Sequence, residues 1–126
     1  MKTIKMIIMA LLFGVFSFQS ASLYAQDPMK AAHNVYKKVL LENDKVRVME
    51  VVFAPGATAA MHSHPNHSIY AVTGGKIEIT EKGKKAVAMD IKAGTAMYMA
   101  AVTHMAKNTG TTTLKLIVTE MKPAKK

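Results

Sequence analysis

The chain has 126 residues, a formal net charge of +9, 50% hydrophobic residues and no cysteine. That is enough for one small domain, and the missing cysteine excludes both a disulfide framework and a lipid-bearing N-terminal cysteine. The lysines are scattered (Lys37-Lys38, Lys82, Lys84-Lys85, the terminal KPAKK) and not gathered with stacking aromatics. They read as a soluble charged surface, so no nucleic-acid partner is expected.

Lys2 and Lys5 precede the apolar run MIIMALLFGVFSF over residues 6–18. Small and polar residues follow, up to Ala25-Gln26-Asp27-Pro28. A basic start, a short apolar stretch and a small residue at the cut predict a signal peptide over residues 1–25. A spanning helix needs about 20 apolar residues, so no stable membrane insertion is expected after cleavage. The domain is then residues 26–126, and the protein is periplasmic or secreted.

From there the pattern is β. DPMKAAHNVYKK offers at most one helical turn. Residues 35–41 and 45–53 read as strands joined by a turn at Glu42-Asn43-Asp44, and Pro55-Gly56 ends the second. After a histidine segment, SIYAVT (68–73), Gly74-Gly75 and KIEIT (76–80) have the signature of a tight hairpin. Strands follow at 85–91 and 95–100, and residues 104–120 read as a last hairpin bending at Asn108-Thr109-Gly110. Short strands with turns about every ten residues predict a single all-β sandwich or barrel.

Three of the five histidines fall within HSHPNH, residues 62–67. His62 and His64 share a face if their segment is extended, and two imidazoles on one face can take adjacent positions around one metal. A third ligand must come from elsewhere, and His104 is the remaining histidine of the β region. Spacing alone leaves open a merely solvated pair, because Pro65-Asn66 directly after it signals a loop. His33, in AAHNVY, reads as an ordinary surface residue.

Gly56, five residues, then His62-Ser63-His64 match the opening of the first motif of the cupin superfamily, usually written G(X)5HXH(X)3–4E(X)6G. The glutamate is missing: counting back from Gly74 puts His67 in its place, and counting from Gly75 puts Ser68 there. In the second motif, G(X)5PXG(X)2H(X)3N, Gly94 and Asn108 keep their spacing to their neighbours, Ala100 replaces the proline, and His104 comes one residue early. The chain therefore resembles a small single-domain cupin over about residues 40–120. The resemblance implies a small antiparallel β-barrel or jelly roll with one metal held by His62, His64 and His104. His67 is the candidate fourth ligand, because a histidine at this spacing is chemically competent. Imidazole ligands suit a transition metal (Zn, Fe, Cu, Ni or Mn) better than Mg or Ca. Without the carboxylate the site keeps the metal's positive charge and should favour an anionic small-molecule ligand. A homodimer is also what the family implies.

Methionine is abundant, and Met61 and Met105 adjoin the proposed ligands. Core packing is the favoured account over a soft copper site. Tyr70, Tyr98, Glu50 and Glu78 have even chances of lining the interior, and neither face of residues 46–53 is cleanly apolar. Two functions stay open: a metal-dependent enzyme of oxygenase, isomerase or lyase type, and a non-catalytic module that binds metal or a small ligand. A barrel with a silent site ranks behind both.

Overall fold

A computed structural model describes residues 26–126. The predicted signal peptide lies outside the described residues. A single helical turn, α1 (Pro28–Ala31), opens this part, capped by Asp27, whose carboxylate accepts from the Met29 amide at 2.8 Å. Nine strands follow: β1 (Tyr36–Glu42), β2 (Val46–Phe53), β3 (Thr58–His64), β4 (His67–Ala71), β5 (Gly75–Glu81), β6 (Val87–Ile91), β7 (Ala96–Met99), β8 (Val102–Asn108) and β9 (Leu114–Met121).

The strands form two open antiparallel sheets, ordered β1-β2-β9-β4-β7 and β3-β8-β5-β6. Of the expected barrel or jelly roll, the open sheets make the second: a two-sheet jelly roll with one apolar core drawn from both sheets. Two predicted hairpins are corrected. β4 and β5 do not pair: Gly74-Gly75 carries the chain from the five-stranded sheet to the four-stranded one. Gly74 is needed for close approach, since a Cβ there would lie 2.7 Å from the Ile91 carbonyl oxygen. Likewise β8 and β9 lie in different sheets. The turn that joins β1 to β2 and the helical turn are as expected, and β5 also pairs with β6.

The inner faces share one layout. β2 turns Met49, Val51 and Phe53 inward, and β9 turns Leu114, Leu116 and Val118 inward. Each series continues in phase to a charged residue at the same end, Arg47 and Glu120, which are direct cross-strand partners. His67 of β4 is the partner of Glu120 on its other side, so Arg47, Glu120 and His67 form a row across three strands. One end of the sandwich is apolar, and the other is polar and buried. Tyr70 and Tyr98 do not line the interior; both are exposed. Glu50 pairs with Lys115, and His33 is exposed as expected. Met97 and Met99 pack on the core.

Candidate metal centre

The histidine segment is a strand, and a bulge decides where its side chains go. β3 pairs with β8 in regular register at Ala59↔Ala106, then shifts before His62↔His104. The extra residue inverts the alternation. Ala59 is buried, Ala60 and Met61 are exposed, and His62 and His64 are buried. Gly56, which leads into this strand, sits at φ +79°, a conformation that glycine adopts without strain. Pro65-Asn66 forms the corner between the sheets, so His64 and His67 enter the same interior from opposite sheets. Of the two residues that could take the missing glutamate's place, His67 faces inward and Ser68 lies on the other face of β4.

Four imidazoles are packed together at 0–5% exposure: His62, His64, His67 and His104. Ring centroids of His62 and His104 are 4.8 Å apart, those of His62 and His64 4.8 Å, and those of His64 and His67 4.5 Å. His62, His64 and His104 each offer one nitrogen such that all three lie within 4.8 Å of one another. His67 stacks on His64 and is not part of that converging set.

The hydrogen bonds fix which nitrogen each ring presents. His62 Nδ1–H donates to the Ala60 carbonyl at 2.7 Å, and His67 Nδ1–H donates to the Pro65 carbonyl at 2.8 Å. His64 Nδ1–H donates to Glu120 Oε2 at 2.7 Å. In its neutral form each of these rings therefore directs a bare Nε2 inward. His62 Nε2 and His64 Nε2 stand 3.0 Å apart. His67 Nε2 and His104 Nδ1 are buried without a hydrogen-bond partner among the described residues. Buried acceptor lone pairs turned on one another, with too few protons to satisfy them, are what a cation would relieve. The donor set fits a metal ion on these grounds.

Electrostatics agree. Burial, with a smaller part from the neighbouring histidines, lowers His62 to about 4 and His104 to about 3, and burial lowers His67 as well. These three rings are thus neutral at physiological pH, the form that ligates metal. Burial alone would raise Glu120, but hydrogen bonds from His64 and Arg47 outweigh it and hold the carboxyl below its ordinary range. Arg47 donates Nε–H to Glu120 Oε1 at 2.8 Å and reaches Asp27 through another guanidinium nitrogen at 2.7 Å. Burial, reinforced by the Glu120 charge, pushes the Tyr36 phenol well above its ordinary value.

Glu120, Arg47 and Tyr36 did not emerge from sequence reasoning as site residues. A signal was present for two of them: Glu120 is in phase with Leu114, Leu116 and Val118, and Arg47 with Met49, Val51 and Phe53. Opposite charges in phase with apolar faces are candidates for a buried pair. Asn108 touches none of the imidazoles. Its side chain donates to the Phe53 and Thr112 carbonyls at 3.0 and 2.8 Å and accepts from the Gly110 amide, bracing the turn after β8.

The sequence model of the cupin domain family matches residues 49–120. Among solved structures, the chain is similar to a cupin domain from Bordetella pertussis Tohama I, with a TM-score of 0.63 at 23% identity, covering 68% of this chain and 91% of that one. It is also similar to an RmlC-like cupin family protein with a double-stranded β-helix fold from Methanocaldococcus jannaschii, with a TM-score of 0.57 at 16% identity, covering 68% and 77%. At these identities the likeness concerns the fold. No curated protein sequence matches.

Proposed function

The chain belongs to the cupin domain family, and from that premise we propose that it binds one divalent transition metal ion through His62, His64 and His104. The observation that carries this reading is the pair of inward, bare Nε2 atoms of His62 and His64, 3.0 Å apart, opposite His104. His67 buttresses His64 from the other sheet. When bound, such an ion supplies Lewis-acid or redox chemistry to a small molecule. The chain's own residues set its surroundings. Glu120 orients His64, while Arg47 holds Glu120 in place. Because the Glu120 charge is already engaged, a cation held by neutral imidazoles favours an anionic small ligand.

In this reading the protein is a metal-dependent enzyme of oxygenase, isomerase or lyase type. A second reading, a non-catalytic metal or ligand binder, is favoured by one observation: every imidazole of the cluster is at most 5% exposed. We further propose export to the periplasm or the medium, supported by the basic and apolar N-terminal pattern. N-terminal sequencing of the native protein tests this, with Gln26 expected as the first residue.

Elemental analysis of protein purified from its own compartment tests the metal reading. One transition metal ion per chain is expected in the wild type, and much less in His62→Ala and His104→Ala. Equal metal content in all three would overturn the site. Turnover of small oxygenated acids by the loaded wild type then separates enzyme from binder.

A further inference from the structure

A third donor meets the two bare nitrogens. Tyr36 Oη lies 3.1 Å from His62 Nε2 and 2.9 Å from His64 Nε2. With the 3.0 Å between the nitrogens, the three atoms form a nearly equilateral triangle. Tyr36 comes from β1, an edge strand in which it is the one buried residue. Among the described residues these two nitrogens are the phenol's only side-chain hydrogen-bond partners.

The proton count does not close. His62 and His64 have committed their Nδ1–H groups to Ala60 and Glu120, so with both rings in the neutral form that binds metal both Nε2 atoms are acceptors. The phenol has one proton and can donate to one of them at a time. One lone pair is always left facing another acceptor at about van der Waals distance. A cation at the triangle satisfies all three atoms at once. The spacing suits this: ligand atoms at about 2.0–2.1 Å in a tetrahedral site stand roughly 3.3 Å apart, a few tenths wider than the edges seen here.

We infer that Tyr36 is itself a ligand, an oxygen donor from the first strand that supplies the anionic group lost with the motif's glutamate. The inference rests on the metal reading above. On binding, the Oη–H bond breaks, its proton passes to solvent, and the phenolate oxygen bonds the metal ion. Nothing is oxidised or reduced. The first shell is then His62, His64, His104 and Tyr36, with His67 left as a packing partner. A phenolate reduces the site's positive charge by one and favours divalent ions that accept both nitrogen and oxygen donors, Cu(II) among them.

Cu(II) alone is the probe, added to metal-free full-length protein. The expected result is a visible phenolate-to-copper charge-transfer band that saturates at one ion per chain. Tyr36→Phe, which keeps the ring, should lose the band and bind Cu(II) at least about tenfold more weakly. Tyr36→His should recover affinity without the band. If wild-type protein binds one copper ion with no such band, or Tyr36→Phe binds with unchanged affinity and an unchanged electron paramagnetic resonance spectrum, Tyr36 is a hydrogen-bonding neighbour only. The inference then fails while the histidine site stands. If the wild type takes up no copper, or His104→Ala takes up as much, both readings fall. The wild-type spectrum alone decides the point if a variant fails to fold.

Discussion

His64 Nδ1 lies 2.7 Å from Glu120 Oε2, a contact between residues 56 positions apart and in different sheets. It makes Glu120 the carboxylate of the histidine cluster, placed behind an imidazole and not among the inward nitrogens. Glu120→Gln keeps the shape and removes the charge. Metal affinity is expected to fall about 10- to 100-fold. Stability should drop by about 1–3 kcal/mol, because Arg47 retains only Asp27 as a charged partner. Chelator competition and urea unfolding measure the two effects separately. Unchanged metal affinity would show that the carboxylate serves the fold alone.

The metal-free protein should lose stability in acid before its carboxylates titrate. The folded pKa values of His62 and His104 lie below the ordinary 6.5, at about 4 and about 3. The unfolded chain therefore takes up protons first as pH falls. The stability these neutral rings contribute is fully present above about 6.5 and is lost as pH falls through their folded values. Thermal unfolding at pH 7 and pH 4.5 should differ by roughly 5 °C or more. His62→Phe and His104→Leu should each flatten the profile.

Asn108 occupies the motif's asparagine position and is fully buried, yet it braces backbone. Asn108→Ala should cost about 2–3 kcal/mol, from three lost hydrogen bonds at about 1 kcal/mol each. Its metal stoichiometry should remain at the wild-type level, unlike that of His104→Ala. Loss of metal from a folded Asn108→Ala protein would contradict this division.

At the apolar end, Gly74→Ala would force a Cβ to within 2.7 Å of the Ile91 carbonyl oxygen and 3.0 Å of the Ala93 amide nitrogen. Neither backbone atom can move aside easily. Chemical denaturation should show a loss of about 1–3 kcal/mol, with the copper spectrum of the folded protein unaltered.

Much of this molecule could be read from residue order. Most strand positions and the one helical turn follow from alternation and turn residues, and the meeting of His62 and His64 with His104 follows from the motif resemblance; β3 itself was not legible as a strand. Partner choice was not legible either. Gly74-Gly75 looks locally like a hairpin bend, but which sheet a strand joins is decided by long-range pairing, here β4 with β9 and β5 with β8. Tyr36 was hidden for a similar reason: it opens an edge strand whose other residues are all exposed, so no periodicity marks it. Arg47 blurred the face of β2 that is in fact the inner one, because a charged residue belongs there once Glu120 stands opposite.

The bulge between Ala59 and His62 makes the chemistry of this protein a matter of parity. If the intact strand paired regularly onward from Ala59↔Ala106, Met61 would fall opposite His104 and face the core, and His62 and His64 would face water. Deleting Ala60 would take out the extra residue itself: Met61 would then stand opposite Met105, and His62 would stay opposite His104 and inward. In this chain a single extra residue decides which side chains of β3 meet the interior.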